Sequence, residues 1–305
     1  MPTGEYHSKG KFLLTGEYLV LYGAKALAVP LKFGQRMSIL DYSECGTIKW
    51  ETFVKGNLWF DGTFDKNLDI LNASDLVTAQ FVQKLLKAGA GLQPAFNLEN
   101  RGYHVINNIE FDISWGLGSS SSLVSNMAWW LNVDPYDLYR KLYRGSGYDV
   151  FCSRASNPIV YQLRGQVPEY REIPFKPSFS DDIYFVYLGR KQDSQKSVSA
   201  FKSKGSPDEK LVMAISELTE AIISAGSLDE FSHLLCNHEE LLSSVLGLKR
   251  IKDEQFPDFP GEIKSLGAWG GDFAMAASHL GFNELKEYFS RKNLPVVFKW
   301  NEIIY

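Results

Sequence analysis

Apolar residues recur along this 305-residue chain with two different periods, and the period sets which element is expected. Over the first third they gather in short runs: Phe12 to Leu14, Lys25 to Val29, Gln35 to Tyr42, Thr47 to Phe53 and Leu58 to Phe64. Runs of this length, rich in aromatic and β-branched residues and broken by turn residues, predict strands. Lys55-Gly56-Asn57 supplies a hairpin turn between two of them. From Ser74 the spacing becomes three to four: Leu76, Val77, Phe81, Leu85 and Leu86 form one stripe of a helix ending near Gly89. Tyr103 to Ile113 alternates as a strand and leads to Gly116-Leu117-Gly118-Ser119-Ser120-Ser121-Ser122, which opens the helical run Leu123 to Leu131.

A second helix follows, with Asp134 as its cap and Pro135 at its first position. Next come the turn Gly145-Ser146-Gly147-Tyr148-Asp149, the short segment Val150 to Ala155 and a strand at Ile159 to Leu163. Gly165 to Pro177 carries three prolines and mixed charge and is expected to be a connection. Beyond it Ile183 to Leu188 predicts a strand, leading to the polar loop Gly189 to Ser194. Ser206-Pro207-Asp208-Glu209 starts a helix whose stripe is Leu211, Ile215, Leu218 and Ile222. Ser227 with Glu230 makes a capping box for the next, which runs through Leu234, Leu235, Leu241 and Leu242 to Gly247. Strands at Glu262 to Leu266 and Phe273 to Ala277 flank Gly267-Ala268-Trp269-Gly270-Gly271-Asp272. A helix from Asn283 to Lys292 and a strand at Val296 to Trp300 close the chain. The pattern predicts an α+β protein of two domains, residues 1–168 and 169–305.

Composition narrows the classes of function. With 45% hydrophobic residues the chain can fill proper cores, and a net charge of −4 gives no reason to expect nucleic acid or an anionic membrane as partner. Any anion must therefore be held locally. Cys45, Cys152 and Cys236 are few and far apart, without zinc-ligand spacing, which fits a reducing cytoplasm. No run reaches the roughly 18 apolar residues of a membrane helix, and the first residues lack the apolar core of a leader peptide.

The best local anion site is the Gly/Ser stretch. A chain that turns through two glycines into a helix leaves backbone N–H groups pointing one way, and the helix dipole adds positive potential there. The hydroxyls of Ser119, Ser120, Ser121 and Ser122 add donors and possible metal ligands. The same stretch also suits a plain serine cap behind a glycine turn. Asp149, behind the turn at Gly145 to Gly147, is either a catalytic carboxylate or the cap of the helix that follows. Arg190, Lys191 and Lys196 surround Gln192, Asp193 and Ser194 in a basic loop that could hold a phosphate or carboxylate, or could be merely solvated. His233 and His238 lack the spacing of a metal pair and read as surface or helix-packing residues.

Taken in order, Gly10-Lys11-Phe12-Leu13-Leu14-Thr15-Gly16-Glu17-Tyr18, the Gly/Ser stretch, Asp149 and the loop Gly267 to Gly271 resemble the motifs of the GHMP kinases. The first motif is similar with Lys9 in place of a proline, the second is matched at Gly116 to Ser122, and the third is matched except for Trp269 in place of a glycine. The likeness is strongest to the mevalonate and phosphomevalonate kinase branch. Gly147-Tyr148-Asp149-Val150-Phe151 also looks like the Gly-Tyr-Asp-Ile-Ala signature of a bacterial subgroup.

The resemblance implies an N-terminal domain like the second domain of ribosomal protein S5, a ferredoxin-like C-terminal domain and a cleft between them. It implies ATP on Gly116, Leu117, Gly118, Ser119, Ser120 and Ser121, with Mg2+ held by Ser120 or Ser121. Asp149 would accept or orient the proton of a mevalonate-like acceptor, with Lys11 beside the transferred group. Glu17, Ser146, Gly267, Ala268, Trp269, Gly270 and Gly271 would contact that acceptor. Leu138 stands where mevalonate kinase carries a glutamate, and Asp137 beside it would point about 100° away on a helix. Trp269 would either cover part of the cleft or pack in the core. The expected activity is transfer of the γ-phosphoryl group of ATP, by a monomer or homodimer. The alternatives are a diphosphomevalonate decarboxylase and a nucleotide-binding protein that has lost the transfer.

Overall fold

A computed structural model describes residues 1–190, 194–203, 205–269 and 272–305. In chain order the elements are β1 (Gly4–Leu13), a 3-10 turn at Leu19–Tyr22, β2 (Ala26–Tyr42), β3 (Ile48–Val54), β4 (Asn57–Phe64) and β5 (Ile70–Ala73). There follow α1 (Leu76–Leu92), β6 (Gly102–Ile109), a 3-10 turn at Ile113–Trp115, α2 (Ser119–Leu131), α3 (Pro135–Leu142) and α4 (Tyr148–Cys152). Then come β7 (Ile159–Arg164), β8 (Val167–Glu172), a 3-10 turn at Ser180–Asp182, β9 (Ile183–Tyr187), α5 (Ser194–Lys202), α6 (Glu209–Ser224) and α7 (Leu228–Leu246). The last are α8 (Ile251–Gln255), β10 (Glu262–Ser265), β11 (Phe273–Ala277), α9 (Phe282–Arg291), β12 (Val297–Lys299) and α10 (Trp300–Ile303).

These elements form two compact units that do not follow a single cut in the sequence. One holds residues 1–10, 33–113 and 117–154, and the other holds residues 11–32, 114–116 and 155–305.

In the first unit β5, β4, β3, β6 and β2 lie side by side. β3 runs parallel to β6 and every other neighbour is antiparallel. A parallel pair needs a long crossover, and α1 supplies it between β5 and β6. Asp75 caps α1 by accepting the Thr78 N–H at 2.7 Å. The core is aromatic: Phe96, Tyr103 and Trp130 meet with ring centroids 5.2 to 6.2 Å apart. Trp130 is buried, and its indole N–H donates to Pro2 O at 3.2 Å, so a large ring enters the interior without leaving its polar atom unpaired.

In the second unit β10, β11, β9 and β12 form an antiparallel sheet in that order. Phe185 sits at its centre, with Phe12 stacked on it at 5.1 Å and Trp300 at 5.9 Å. α8 and α9 pack on this sheet through Ile251, Phe256, Leu285 and Phe289. A second apolar cluster joins α5, α6 and α7 to the turn at Tyr18 and Leu19.

Three differences from the expected pattern have physical causes. The runs Lys25 to Val29 and Gln35 to Tyr42 belong to one 17-residue strand. Pro30 lies between the stretch that pairs β7 and the stretch that pairs β6, so its missing N–H costs neither pairing, and its carbonyl accepts the Tyr305 N–H at 3.0 Å while Leu31 bridges Ile304. The proline-rich connection contains β8, which pairs β7 around Gly165 and is exposed nearly throughout, so no apolar alternation marks it. The helix after the Gly/Ser stretch begins at Ser119, four residues before the apolar run that predicted it, because serines form its first turn.

Phe185 is fully buried and touches rings from two other segments, so truncating it leaves a large cavity. Phe185→Ala is expected to lower stability by about 3–5 kcal/mol. Urea unfolding followed by tryptophan fluorescence measures this.

Candidate active site

In the first unit the Gly/Ser stretch forms the N-terminus of α2. Gly118 caps it in the left-handed region, with φ of 93°, and the first intrahelical bond runs from Ser122 N–H to Gly118 O at 2.9 Å. The amides of Ser119, Ser120 and Ser121 thus stand outside the helix's own ladder, the arrangement that binds anions.

The four hydroxyls are not equivalent. Ser122 is fully buried and lies 3.0 Å from both Gln35 Oε1 and Ser119 O. Ser121 is also buried and donates to Gly118 O at 2.9 Å. Ser119 is half-buried, and Ser120 is exposed. Beneath the helix a buried polar chain continues from Gln35: Asn126 Nδ2 donates to Gln35 O at 2.9 Å, and Ser8 Oγ donates to Asn126 Oδ1 at 2.7 Å. Of the two serines the resemblance offered to a metal, Ser120 is therefore the one that faces outward.

Tyr143, which follows α3, was missed by sequence reasoning. Its hydroxyl hydrogen-bonds Ser120, and the charge of Asp149 acts on it as well. Burial is the larger influence and pushes the phenol up to about 12, so it stays a neutral hydroxyl. Rings hold it in place: Tyr139 lies 5.2 Å away and Phe81 6.4 Å away. Ser120, Tyr143 and Asp149 thus converge within one unit.

Asp149 stands in the first turn of α4, half-buried, with Oδ1 shielded from solvent. The cap of α4 is Gly147, so the capping role that the sequence allowed for Asp149 is not the one it plays. The turn before it requires glycine. Gly147 has φ of +79°, and a Cβ there would lie 2.6 Å from the Tyr136 ring. Ser146 is buried between the two glycines. Leu138 is buried in α3, and Asp137 is exposed beside it.

In the second unit Lys11 is half-buried near the end of β1. Glu17 departs from the expected substrate-facing role: it is 1% exposed, and its Oε1 accepts from Lys264 Nζ at 2.5 Å. Lys264 also donates to Glu239 Oε1 and to Ser265 O, each at 3.1 Å. His238 joins this interior cluster. It is fully buried rather than a surface residue, and its Nε2 accepts the Gly16 N–H at 3.1 Å, which assigns the proton to Nδ1. Burial and the nearby Lys264 charge hold His238 well below the usual imidazole range, so it is neutral. The interior then contains two carboxylates around one ammonium. Burial pushes Glu17 up to about 7 despite its ion pair, and Glu239 shifts the same way.

Trp269 is likewise interior, packed with Tyr18, Phe201, Leu242 and Leu246. Of the two roles open to it, the packed one is what the structure describes. Gly267 has φ of +67° with open space beside it, and Ala268 is half-buried. Gly270 and Gly271 lie outside the described residues, as do Lys191, Gln192 and Asp193 of the basic loop. Arg190 and Lys196 are exposed. Asp272 packs against Gly116 so closely that a Cβ on that glycine would lie 2.1 Å from its Oδ2. Among the described residues no three His, Cys, Asp or Glu side chains gather as a metal site, and no helix is long and apolar enough to cross a membrane.

The interior cluster had a signal in the sequence. His238 and Glu239 occupy the apolar stripe of α7 that runs through Leu228, Phe231, Leu235, Leu242 and Leu246. Lys264 stands in a strand with no exposed position.

No protein-family model and no curated protein sequence matches the chain. Solved structures do. Streptococcus pneumoniae phosphomevalonate kinase in complex with phosphomevalonate and AMPPNP superposes with a TM-score of 0.73 at 18% identity, over 97% of this chain and 99% of that one. L. major mevalonate kinase in complex with R-mevalonate gives 0.69 at 16% identity, over 98% and 95%. Mevalonate diphosphate decarboxylase from Staphylococcus aureus gives 0.63 at 12% identity, over 99% and 94%. The chain has the α+β fold of the GHMP kinases.

The raised proton affinity of Glu17 has a defined consequence for stability. The folded chain holds this proton up to about 7, whereas an unfolded glutamate releases it near 4.5. The contribution is complete below the lower value and is lost as pH rises through the upper one. Between about pH 5 and about pH 8 stability should therefore fall, by at most about 1.4 kcal/mol per pH unit for one proton. Glu17→Gln should flatten the profile. An unchanged slope in urea unfolding across that range would contradict the assignment.

Proposed function

We propose that this chain is an ATP-dependent kinase that transfers the γ-phosphoryl group to a hydroxyl or phosphate of a small mevalonate-like acceptor. The observation that carries the reading is the convergence of Ser120, Tyr143 and Asp149 at the N-terminus of α2, in a chain with the fold of the GHMP kinases. Phosphoryl transfer needs chiefly positioning and charge neutralisation, and the residues divide those tasks. The α2 amides and the left-handed Gly118 suit the phosphates of ATP. Ser120, exposed at the helix start, carries a hard oxygen donor of the kind Mg2+ takes, and a bound Mg2+ would neutralise phosphate charge. Asp149 accepts or orients the acceptor's proton. Lys11 supplies positive charge to the transferred group. The neighbouring phosphomevalonate kinase, bound to AMPPNP and phosphomevalonate, supports nucleotide use and the acceptor class.

None of the three cysteines forms a disulfide, which suits work in the cytoplasm. The buried positions of Glu17, Ser146 and Trp269 leave Gly267 and Ala268, among the described residues, as the proposed acceptor contacts.

A screen of ADP release with mevalonate, phosphomevalonate, homoserine and galactose tests the proposal. Asp149→Asn is expected to lower turnover by about 10²- to 10⁴-fold while leaving ATP affinity nearly unchanged. Undiminished turnover would refute the role of Asp149. Carbon dioxide release from a diphosphorylated acceptor would instead identify a decarboxylase, the activity of one structural neighbour. Tight ATP binding without ADP release on any acceptor would identify a nucleotide-binding protein.

The serines should separate in the same assay. Ser120→Ala is expected to reduce the gain in ATP affinity that Mg2+ confers. Ser121→Ala, which removes a hydroxyl turned inward to Gly118 O, should reduce stability by about 1 kcal/mol with little effect on that gain. Calorimetric titration with and without Mg2+ reads both.

A further inference from the structure

The turn Gly16-Glu17-Tyr18 is anchored at three consecutive residues. The Gly16 N–H donates to His238 Nε2 on α7, and the Glu17 carboxylate accepts from Lys264 on β10. The Tyr18 hydroxyl hydrogen-bonds the backbone of Trp269 and the side chain of Ser197 on α5, and its ring lies 5.1 Å from Phe201. The backbone here is costly. Gly16 has φ of +83°, and a Cβ on it would lie 2.7 Å from Lys25 O. Tyr18, which has a bulky side chain, sits at φ 61°, ψ −46°. Such conformations persist only where the surroundings over-determine them, and they concentrate at functional sites.

The same cluster grips the start of the loop 267–271. Lys264 donates to Ser265 O at 3.1 Å, and Glu239 Oε2 accepts the Ser265 N–H at 3.4 Å. Ser265 is the last residue of β10, and Leu266 N–H closes the loop's base on Phe273 O at 3.0 Å. The contacts therefore form a circuit. From Lys264 one path runs through Glu17 and Tyr18 to Trp269 in the middle of the loop, and the other runs directly to Ser265 at its beginning. Every charged member is at most 1% exposed. A buried ion cluster of this kind is a poor source of stability, since apolar replacements of similar volume are often as stable or more so. A fixed geometry is what it does supply.

We propose that Lys264 is a positioning residue: by holding Glu17, Glu239 and Ser265 together it sets the conformation of residues 265–269 against the Gly16-Glu17-Tyr18 turn. The ligand served, ATP with its acceptor, rests on the kinase reading above; the circuit itself does not.

The test separates geometry from stability. In the full-length chain the triple variant Glu17→Gln, Glu239→Gln, Lys264→Met removes every charge of the cluster while keeping its volume. Its thermal midpoint is expected to stay close to that of the unaltered chain. Hydrogen exchange at residues 16–18 and 265–269 should nonetheless accelerate at least about tenfold through local opening. The Kd for ATP with Mg2+ should weaken by about tenfold or more. A folded triple variant with unchanged exchange and unchanged affinity overturns the proposal.

If the triple variant does not fold, Glu17→Gln alone leaves Lys264 and Glu239 as a balanced pair. It must then accelerate exchange at residues 16–18, and unchanged exchange there overturns the proposal equally. Should the unaltered chain not bind ATP, the kinase reading fails, and the exchange measurements still decide the role of Lys264.

Discussion

An ammonium group in a protein interior persists only with counter-charges at hydrogen-bond distance, and Lys264 is supplied with two carboxylates. That requirement reaches far along the sequence. It draws together a turn after the first strand, the middle of α7 and the end of β10, segments that share no local sequence relation. Burial disfavours the charged carboxylates more than the single ammonium relieves them, which is why a proton stays on the cluster well above the ordinary carboxylate range. Residues 265–269 after β10 and the strained turn at Tyr18 inherit their geometry from this arrangement.

Much of the fold was legible because it is local. The three-to-four spacing from Leu76 to Leu86, the Asp134-Pro135 start and the Ser227 cap each specify a helix within a few residues, and all three helices are present, although α1 buries Ala79, Val82, Leu85 and Leu86 and leaves Leu76 and Val77 exposed. The α2 terminus was legible for the same reason, since glycines and serines must turn before a helix can begin. The short α8 and α10 were not, because neither carries a full apolar stripe. β8 escaped notice because an exposed strand has no hydrophobic side to reveal it.

The candidate site divides along the same line. Asp149 stood out because it follows a glycine turn, and the structure gives the cap of α4 to Gly147. Tyr143 could not be found, since a tyrosine at the end of a helix looks like any other until the chain brings Ser120 to it. Glu17 was assigned by motif to substrate, whereas its surroundings are interior. Motif position and chemical environment are separate properties, and only a three-dimensional arrangement joins them. The burial of Trp269 makes the same point: an indole in place of a glycine packs among Tyr18 and Phe201.

β8 carries one more consequence. As the outermost strand beside β7 it offers unpaired backbone groups to any extended peptide, the usual starting point for sheet-to-sheet association. Pro168 lacks an N–H, and Glu169, Arg171 and Glu172 place alternating charge along the strand. An incoming strand would meet a missing donor and would have to strip water from ionised side chains. This margin of the sheet thereby carries features that oppose edge-to-edge pairing with another strand.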